Sequence, residues 1–307
     1  MKADIVRVEG APCPTLVLAR DMLPSGALAL REELLHIRRW LDRTGRGHIH
    51  KIGLYGASPA PDSDLDYRFV QSMPHGFDFR SGCGHSLLAC VTAAGLTGTV
   101  RVRSLTTGDT VVCEPEPHAS HTVRFNGPGP TRPLLPTGRP VDRIGGLDAS
   151  LVRFGNPYVF VDAAALGVPT AQALFEAGGE VLRVLLRARA AAARLLGCGP
   201  DTALPKITAV GTGPCGRPFA RGVTVSGWHP SLALTGAACL AAAAAIPGTV
   251  PHRLAESAAL EIVTPGGIVR VSAAVEGPYI RSIAVHGKRA HVWERAVPLP
   301  WRIRVTA

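Results

Sequence analysis

Residues 80–96 read RSGCGHSLLACVTAAGL, a Gly-rich turn at Ser81-Gly82 followed by small and apolar residues with no polar face. The pattern predicts a helix from about Cys83 to Leu96, and a helix that is apolar all round must be enclosed on every side. A second stretch of the same kind, LALTGAACLAAAAAI at 232–246, lies about 150 residues further on, behind the turn Ser226 to Pro230. It falls short of the roughly 20 apolar residues that span a bilayer, so it too reads as a buried helix. β segments follow each stretch. This order suggests an internal duplication, although identity is weak (Leu-Leu-Ala-Cys90 against Gly-Ala-Ala-Cys239). A sheet curled around each helix would enclose it. The expected class is therefore α+β, with two pseudo-symmetric halves, 1–148 and 149–307, each a mixed sheet wrapped around a central helix.

Outward from these helices, Ile5 to Leu18 reads as a strand or hairpin broken by Pro12 and Pro14. Ala27 to Asp42 has helical periodicity and ends before Gly45 and Gly47. Ile49 to Ser58 reads as a strand, Asp62 to Met73 as a short helix, and Thr99 to Ser104 and Thr110 to Glu114 as short strands. In the second half, Ser150 to Asp162 is strand-like, Ala171 to Leu196 reads as one long helix, and Ile207 to Gly211 as a strand. Further β segments are expected at Leu260 to Val263, Gly267 to Ala274 and Tyr279 to Val285.

Composition narrows the function. Hydrophobic residues make up 46% of the 307, enough for a substantial core, and charged residues only 18%, which fits neither a long coiled coil nor a disordered polyampholyte. The net charge is +10, yet only four of the 33 basic residues are lysines (Lys2, Lys51, Lys206 and Lys288), and the arginines are scattered. With no basic stripe or tail, nucleic acid is not the expected partner; a small anionic substrate is. The helix carrying Arg183, Arg187, Arg189 and Arg194 reads as an exposed face. Seven cysteines without regular spacing form neither a disulfide framework nor a C-x-x-C zinc site. His48-x-His50 lacks a nearby carboxylate or Cys, and His118 and His121 lie in a Pro-rich loop, so no metal is expected. With Asp4 and Glu9 in an N-terminal stretch that lacks an apolar run, the expectation is a cytoplasmic protein with no membrane partner.

The chemistry concentrates at Arg80-Ser81-Gly82-Cys83-Gly84-His85-Ser86. A cysteine at a helix start has its thiolate favoured by the dipole and by nearby N–H groups, which suits it to proton transfer. The flanking glycines let a substrate approach the backbone. The plain alternative is a small buried cysteine at a Gly-rich turn. His85 either donates to a bound carboxylate or caps its helix, while Ser81, Gly82, Gly84 and Ser86, with Thr235 and Gly236 in the second half, offer donors to an oxyanion.

Cys83-Gly84-His85 resembles the C-G-N or C-G-H element of the diaminopimelate epimerase and proline racemase superfamily. The nearer resemblance is to its methylaconitate and methylitaconate isomerase branch (PrpF type), which includes 4-oxalomesaconate tautomerase. Its motifs are matched by His50-Lys51-Ile52-Gly53-Leu54-Tyr55, Asp64-Leu65-Asp66-Tyr67-Arg68-Phe69 and Gly155-Asn156-Pro157-Tyr158-Val159-Phe160-Val161, then by Pro205-Lys206, His229-Pro230-Ser231, Thr235-Gly236-Ala237 and Ile246-Pro247-Gly248-Thr249-Val250. The resemblance implies the two-half fold and a cofactor-free allylic proton shift, with the family Lys at Lys51 and the family Cys at Cys83. A lysine serves as base when burial disfavours its ammonium form. Asn156, His229, Thr235 and Gly236 become candidate substrate contacts, and so does Cys13. It stands in Gly10-Ala11-Pro12-Cys13-Pro14, where the family has G-G-T-S-K, so Cys13 replaces a Ser and Pro14 a carboxylate-binding Lys. His286-Gly287-Lys288-Arg289 matches a family R-T-A-R element only in part.

Epimerases of the superfamily use one thiol per half, and Ala233 stands where the second would be. The expectation is thus a C=C isomerase acting on a small unsaturated carboxylate, such as a 4-alkylproline-type precursor of antibiotic biosynthesis, without cofactor, in a chain that could pair as a homodimer. The alternatives are an amino-acid epimerase or racemase, a polycarboxylate tautomerase of the oxalomesaconate or methylaconitate type, and a binding protein that has kept only the anion site.

Overall fold

The structure is a computed structural model that describes residues 1–127, 133–199, 202–254, 259–277 and 279–300. The chain divides into two compact units: Met1–His121 together with the stretch from Lys288 onward, and Thr122–Gly287. These bounds differ from a single cut after residue 148, because the long strand Tyr279–Pro298 begins in the second unit and ends in the first.

In the first unit the strands Lys2–Val8, Thr15–Ala19, Lys51–Ala57, Leu65–Met73, Val100–Ser104 and Thr110–Glu116 follow one another across the sheet. Their pairings run antiparallel, parallel, antiparallel, parallel, antiparallel. Residues 290–298 close this unit by pairing antiparallel with Lys2–Val8. The helix Gly84–Ala94 packs on the inner face, and the amphipathic helix Ala27–Arg43 covers the outer one through Leu34, Ile37 and Leu41 against Leu16, Leu18, Ile52, Leu54 and Val70. Every residue from Gly84 to Val91 is buried, as an all-round apolar helix requires.

The second unit repeats the plan. Leu147–Phe154, Asn156–Asp162, Lys206–Thr212, Pro218–Thr224, Ala259–Thr264 and Gly267–Glu276 pair with the same alternation. Leu234–Ala244 is the inner helix, and Gly179–Leu195 packs outside through Leu185, Ala188 and Ala192. The α+β class and the paired mixed sheets around central helices are thus present, unit by unit.

Three local expectations change. Asp62 to Met73 contains the strand Leu65–Met73, not a helix: Tyr67 and Phe69 face the inner helix and Val70 the outer layer, so both faces are buried and the period-2 alternation is masked. The stretch Ser150 to Asp162 is a hairpin folded at Gly155, whose positive φ a side chain would resist. Ala171 to Leu196 is two helices, Ala171–Glu176 and Gly179–Leu195, separated at Ala177 and Gly178, both of which have non-helical backbone angles. Arg189, moreover, is not simply exposed, since its Nε donates to the Pro205 carbonyl at 2.8 Å.

Candidate active site

In the first unit the inner face of the sheet and the first turn of its central helix meet through a short polar chain. Thr15 and Lys51 are register partners in the parallel pair, so their side chains share a face. Thr15 Oγ1 lies 3.0 Å from Ser86 Oγ, which ties that face to the helix. Tyr67 also points inward; its hydroxyl donates to the Cys83 carbonyl at 2.9 Å and shares the Ser86 hydroxyl. Burial, ahead of the neighbouring Cys83 and Cys90, pushes the Tyr67 phenol well above its ordinary range, so it serves as a fixed donor. Gly53, two residues after Lys51, lets the helix come close: a Cβ there would stand 2.5 Å from Cys90 Sγ.

Cys83 is the N-cap of the inner helix, with extended backbone, and its carbonyl accepts the Leu87 N–H at 2.9 Å. The helix dipole therefore ends at this residue and favours negative charge there. Lys51 is only 7% exposed, unusual for an amine and expected only where the group has a task or a partner. Both lie within electrostatic reach of one sulfur, that of Cys13, which also takes hydrogen bonds from the backbone N–H groups of His50 and Lys51. Burial raises the Cys13 thiol above its usual value and outweighs the opposing pull of the Lys51 ammonium; the two N–H groups lower it, and Cys83 raises it further. An amine and two thiols thus gather at one end of the unit. Across the strand pair from Lys51 stands Gln71, which donates to the His50 carbonyl at 2.9 Å and fixes the backbone that carries the lysine.

Around this centre Ser81 is fully buried and its hydroxyl has no hydrogen-bond partner among the described residues, a donor held ready beside the helix start. Gly84, His85 and Ser86 are buried in the first turn, whereas Gly82, Cys83 and Cys13 are partly accessible. Arg80 is turned outward and reaches Asp78, at 3.6 Å. His50 is held below its ordinary value by burial and by Arg38, and His48 lies on the surface beside Trp293. No three His, Cys, Asp or Glu side chains converge in a metal-binding arrangement among the described residues.

The second unit holds the other candidates at the start of its own central helix. Tyr158 OH lies 2.9 Å from Thr235 Oγ1, the Asn156 amide donates to the same oxygen at 3.4 Å, and the Tyr158 ring packs over Gly236. His229 Nδ1 accepts the Ser231 N–H at 3.1 Å, an arrangement that shapes the turn before the helix. The N-cap is Ala233. Thus Cys13, Lys51, Ser81, Gly82, Cys83, Gly84, His85 and Ser86 belong to one unit, and Asn156, His229, Thr235 and Gly236 to the other. Thr15, Tyr67 and Gln71 went unnoticed as site residues; the signal for Thr15 was its place two residues after Cys13, while Tyr67 was concealed by the helical reading of its segment.

No protein-family model matches the chain. It is 24% identical to the Bacillus subtilis protein YraM, described as an isomerase, over 72% of this chain and 76% of that one, and 24% identical to the 3-methylitaconate isomerase of Eubacterium barkeri over 76% and 79% respectively. Among solved structures it resembles a methylitaconate-delta-isomerase with a TM-score of 0.67 at 20% identity, covering 95% of this chain and 94% of that one. It also resembles a hydroxyproline epimerase from Agrobacterium vitis, with a TM-score of 0.60 at 15% identity, covering 96% and 89%. No helix among the described residues is long and apolar enough to cross a membrane. With a mixed sheet around a central helix in each unit, the chain has the fold of these isomerases and epimerases, and over about three quarters of its length its sequence is similar to that of the 3-methylitaconate isomerase.

Proposed function

We propose that the protein moves a C=C bond in a small unsaturated carboxylate by a cofactor-independent 1,3-proton shift. One of Lys51 and Cys83 removes the allylic proton next to the electron-withdrawing group. The resulting dienolate is held by N–H and O–H donors of the first helical turn and by Ser81, and the other group returns a proton two carbons along. The observation that supports this most is the convergence of a nearly buried lysine and a helix-capping cysteine on the single sulfur of Cys13. Where relatives are expected to carry a carboxylate-binding lysine, Pro14 offers no charge, which favours a substrate with fewer carboxylates than a central-metabolic polycarboxylate. A 4-alkylproline-type precursor of secondary metabolism, handled in the cytoplasm, fits that requirement.

The test is incubation in deuterium oxide with 3-methylitaconate and, separately, with a cyclic unsaturated monocarboxylate. Deuterium is expected at the new sp³ carbon of at least one of them, with the label lost in Cys83→Ala and Lys51→Ala. Turnover that survives unchanged in both variants would overturn the assignment.

A second reading, epimerisation at a carbon bearing an acidic proton, is favoured by the presence of two thiols beside Lys51. It predicts α-deuteration of a chiral substrate with loss of optical activity and no movement of a double bond. Ala233 at the second helix start counts against the two-thiol arrangement of the superfamily's epimerases, which places one thiol in each half.

A further inference from the structure

Cys13 and Cys83 come from elements that the fold pins to each other. Cys13 lies two residues before Thr15, the first residue of its strand, Cys83 three residues before Ser86, and the Thr15–Ser86 hydrogen bond of 3.0 Å joins the two segments. Both cysteines are reduced and partly accessible, whereas Cys90, Cys113 and Cys239 are buried. Backbone N–H groups of His50 and Lys51 hydrogen-bond the Cys13 sulfur, which lies within electrostatic reach of the Lys51 side chain and of Cys83.

We infer that Cys13 and Cys83 form a modification site for hydroperoxides, in which Cys83 is oxidised first and Cys13 resolves it as an intramolecular disulfide. The Cys83 thiolate attacks the distal peroxide oxygen and the O–O bond breaks, leaving Cys83 as a sulfenic acid and, with hydrogen peroxide, releasing one water. The Cys13 sulfur then attacks the Cys83 sulfur. The S–O bond breaks, the hydroxyl leaves with the Cys13 proton as a second water, and the S–S bond forms. Two thiols lose two electrons and two protons, and one peroxide is reduced to two waters. Burial raises the Cys13 thiol above its usual value, so it competes less for the peroxide, and its proton departs with the leaving hydroxyl as it attacks. Disulfide formation would withdraw the Cys83 thiol from proton transfer and shield it from irreversible over-oxidation. A thiol reductant would restore it.

The inference stands apart from the isomerase reading, and its test needs no substrate. The reduced full-length protein is treated with stoichiometric hydrogen peroxide at neutral pH, remaining thiols are alkylated, and proteolytic peptides are analysed by mass spectrometry. The expected product is a crosslinked peptide pair containing Cys13 and Cys83, two hydrogens lighter than its parts and reversed by dithiothreitol. In Cys13→Ser the crosslink is lost and Cys83 proceeds to the sulfinic acid; circular dichroism and a melting curve confirm that this variant is folded. Cys83 over-oxidised in the wild type with Cys13 unmodified, no oxidation of either cysteine, or an equal yield of crosslinks to Cys198 would each overturn the assignment.

Discussion

The two central helices, Gly84–Ala94 and Leu234–Ala244, are built alike and equipped differently. Each is sheathed by six strands with the same alternation of pairing, and each carries a buried cysteine in its body, Cys90 or Cys239. A tyrosine from the sheet grips each helix start: Tyr67 through the Cys83 carbonyl and Tyr158 through the Thr235 hydroxyl. A lysine begins the equivalent strand in each unit, Lys51 beside Thr15 and Lys206 beside Tyr158. The cap residue breaks the likeness, being a thiol at 83 and a methyl at 233. The shared features are those that packing demands, while the difference falls on the one position with an open end of helix and an accessible side chain. The two units share one frame, and the proposed chemistry draws on only one of them.

The sharpest way to break this contrast is to remove a cysteine from each helix. Cys83→Ala is expected to lower kcat by about 10³-fold, the scale of a lost acid–base group, whereas Cys239→Ala should leave kcat within about twofold and cost only stability. Steady-state rates on whichever carboxylate shows deuterium exchange decide this, and equal losses in both variants would dissolve the asymmetry.

Alkaline pH exposes what the buried thiols share. Burial raises the thiols of Cys113 and Cys239 to about 12, and that of Cys90 well above its usual value. A folded value above the unfolded one means that the native state binds more protons. The stabilisation is fully present below the unfolded thiol range near 8.5 and is lost as pH rises from there toward 12, at up to about 1.4 kcal/mol per pH unit for each such thiol. Urea unfolding between pH 8 and 10.5 should show falling stability, with a shallower slope in Cys239→Ala; a flat profile would contradict this.

Glycine on the two sides makes a smaller contrast. Gly53→Ala would drive a Cβ to 2.5 Å from Cys90 Sγ and should destabilise by about 1–3 kcal/mol. Gly236→Ala meets only the Tyr158 ring, at 3.1 Å, and gains helix propensity of up to about 1 kcal/mol, so its net effect should lie near zero. Denaturant midpoints compare them directly. The smallest effect belongs to the tyrosines: Tyr67→Phe and Tyr158→Phe should each cost about 1 kcal/mol, the net worth of one hydrogen bond. Only Tyr67→Phe should also alter the alkylation rate of Cys83 by iodoacetamide.

Much of this plan could be read from residues alone. The two all-round apolar segments announced enclosed helices, and the repeated order of turn, helix and hairpin announced the duplication. The strand Leu65–Met73 was misread because a segment buried on both faces shows no polar alternation, and its spacing of Leu65, Phe69 and Met73 also satisfies a helix. The break at Ala177 and Gly178 lay in a run whose other residues favour helix. The family roles of Lys51 and Cys83 came from a resemblance; that Lys51 lies level with Thr15, and Thr15 against Ser86, depends on strand register and packing, which no local pattern encodes.

Because residues 290–298 lie against Lys2–Val8, this strand waits during synthesis for a partner made far later in the chain. Until that partner is made, one edge of the sheet that carries Thr15 and Lys51 stays open. The second unit, whose strands Leu147–Phe154 to Tyr279–Val285 are nearly contiguous in the chain, can close sooner. In the order of synthesis, the unit that holds Lys51 and Cys83 is finished after the other.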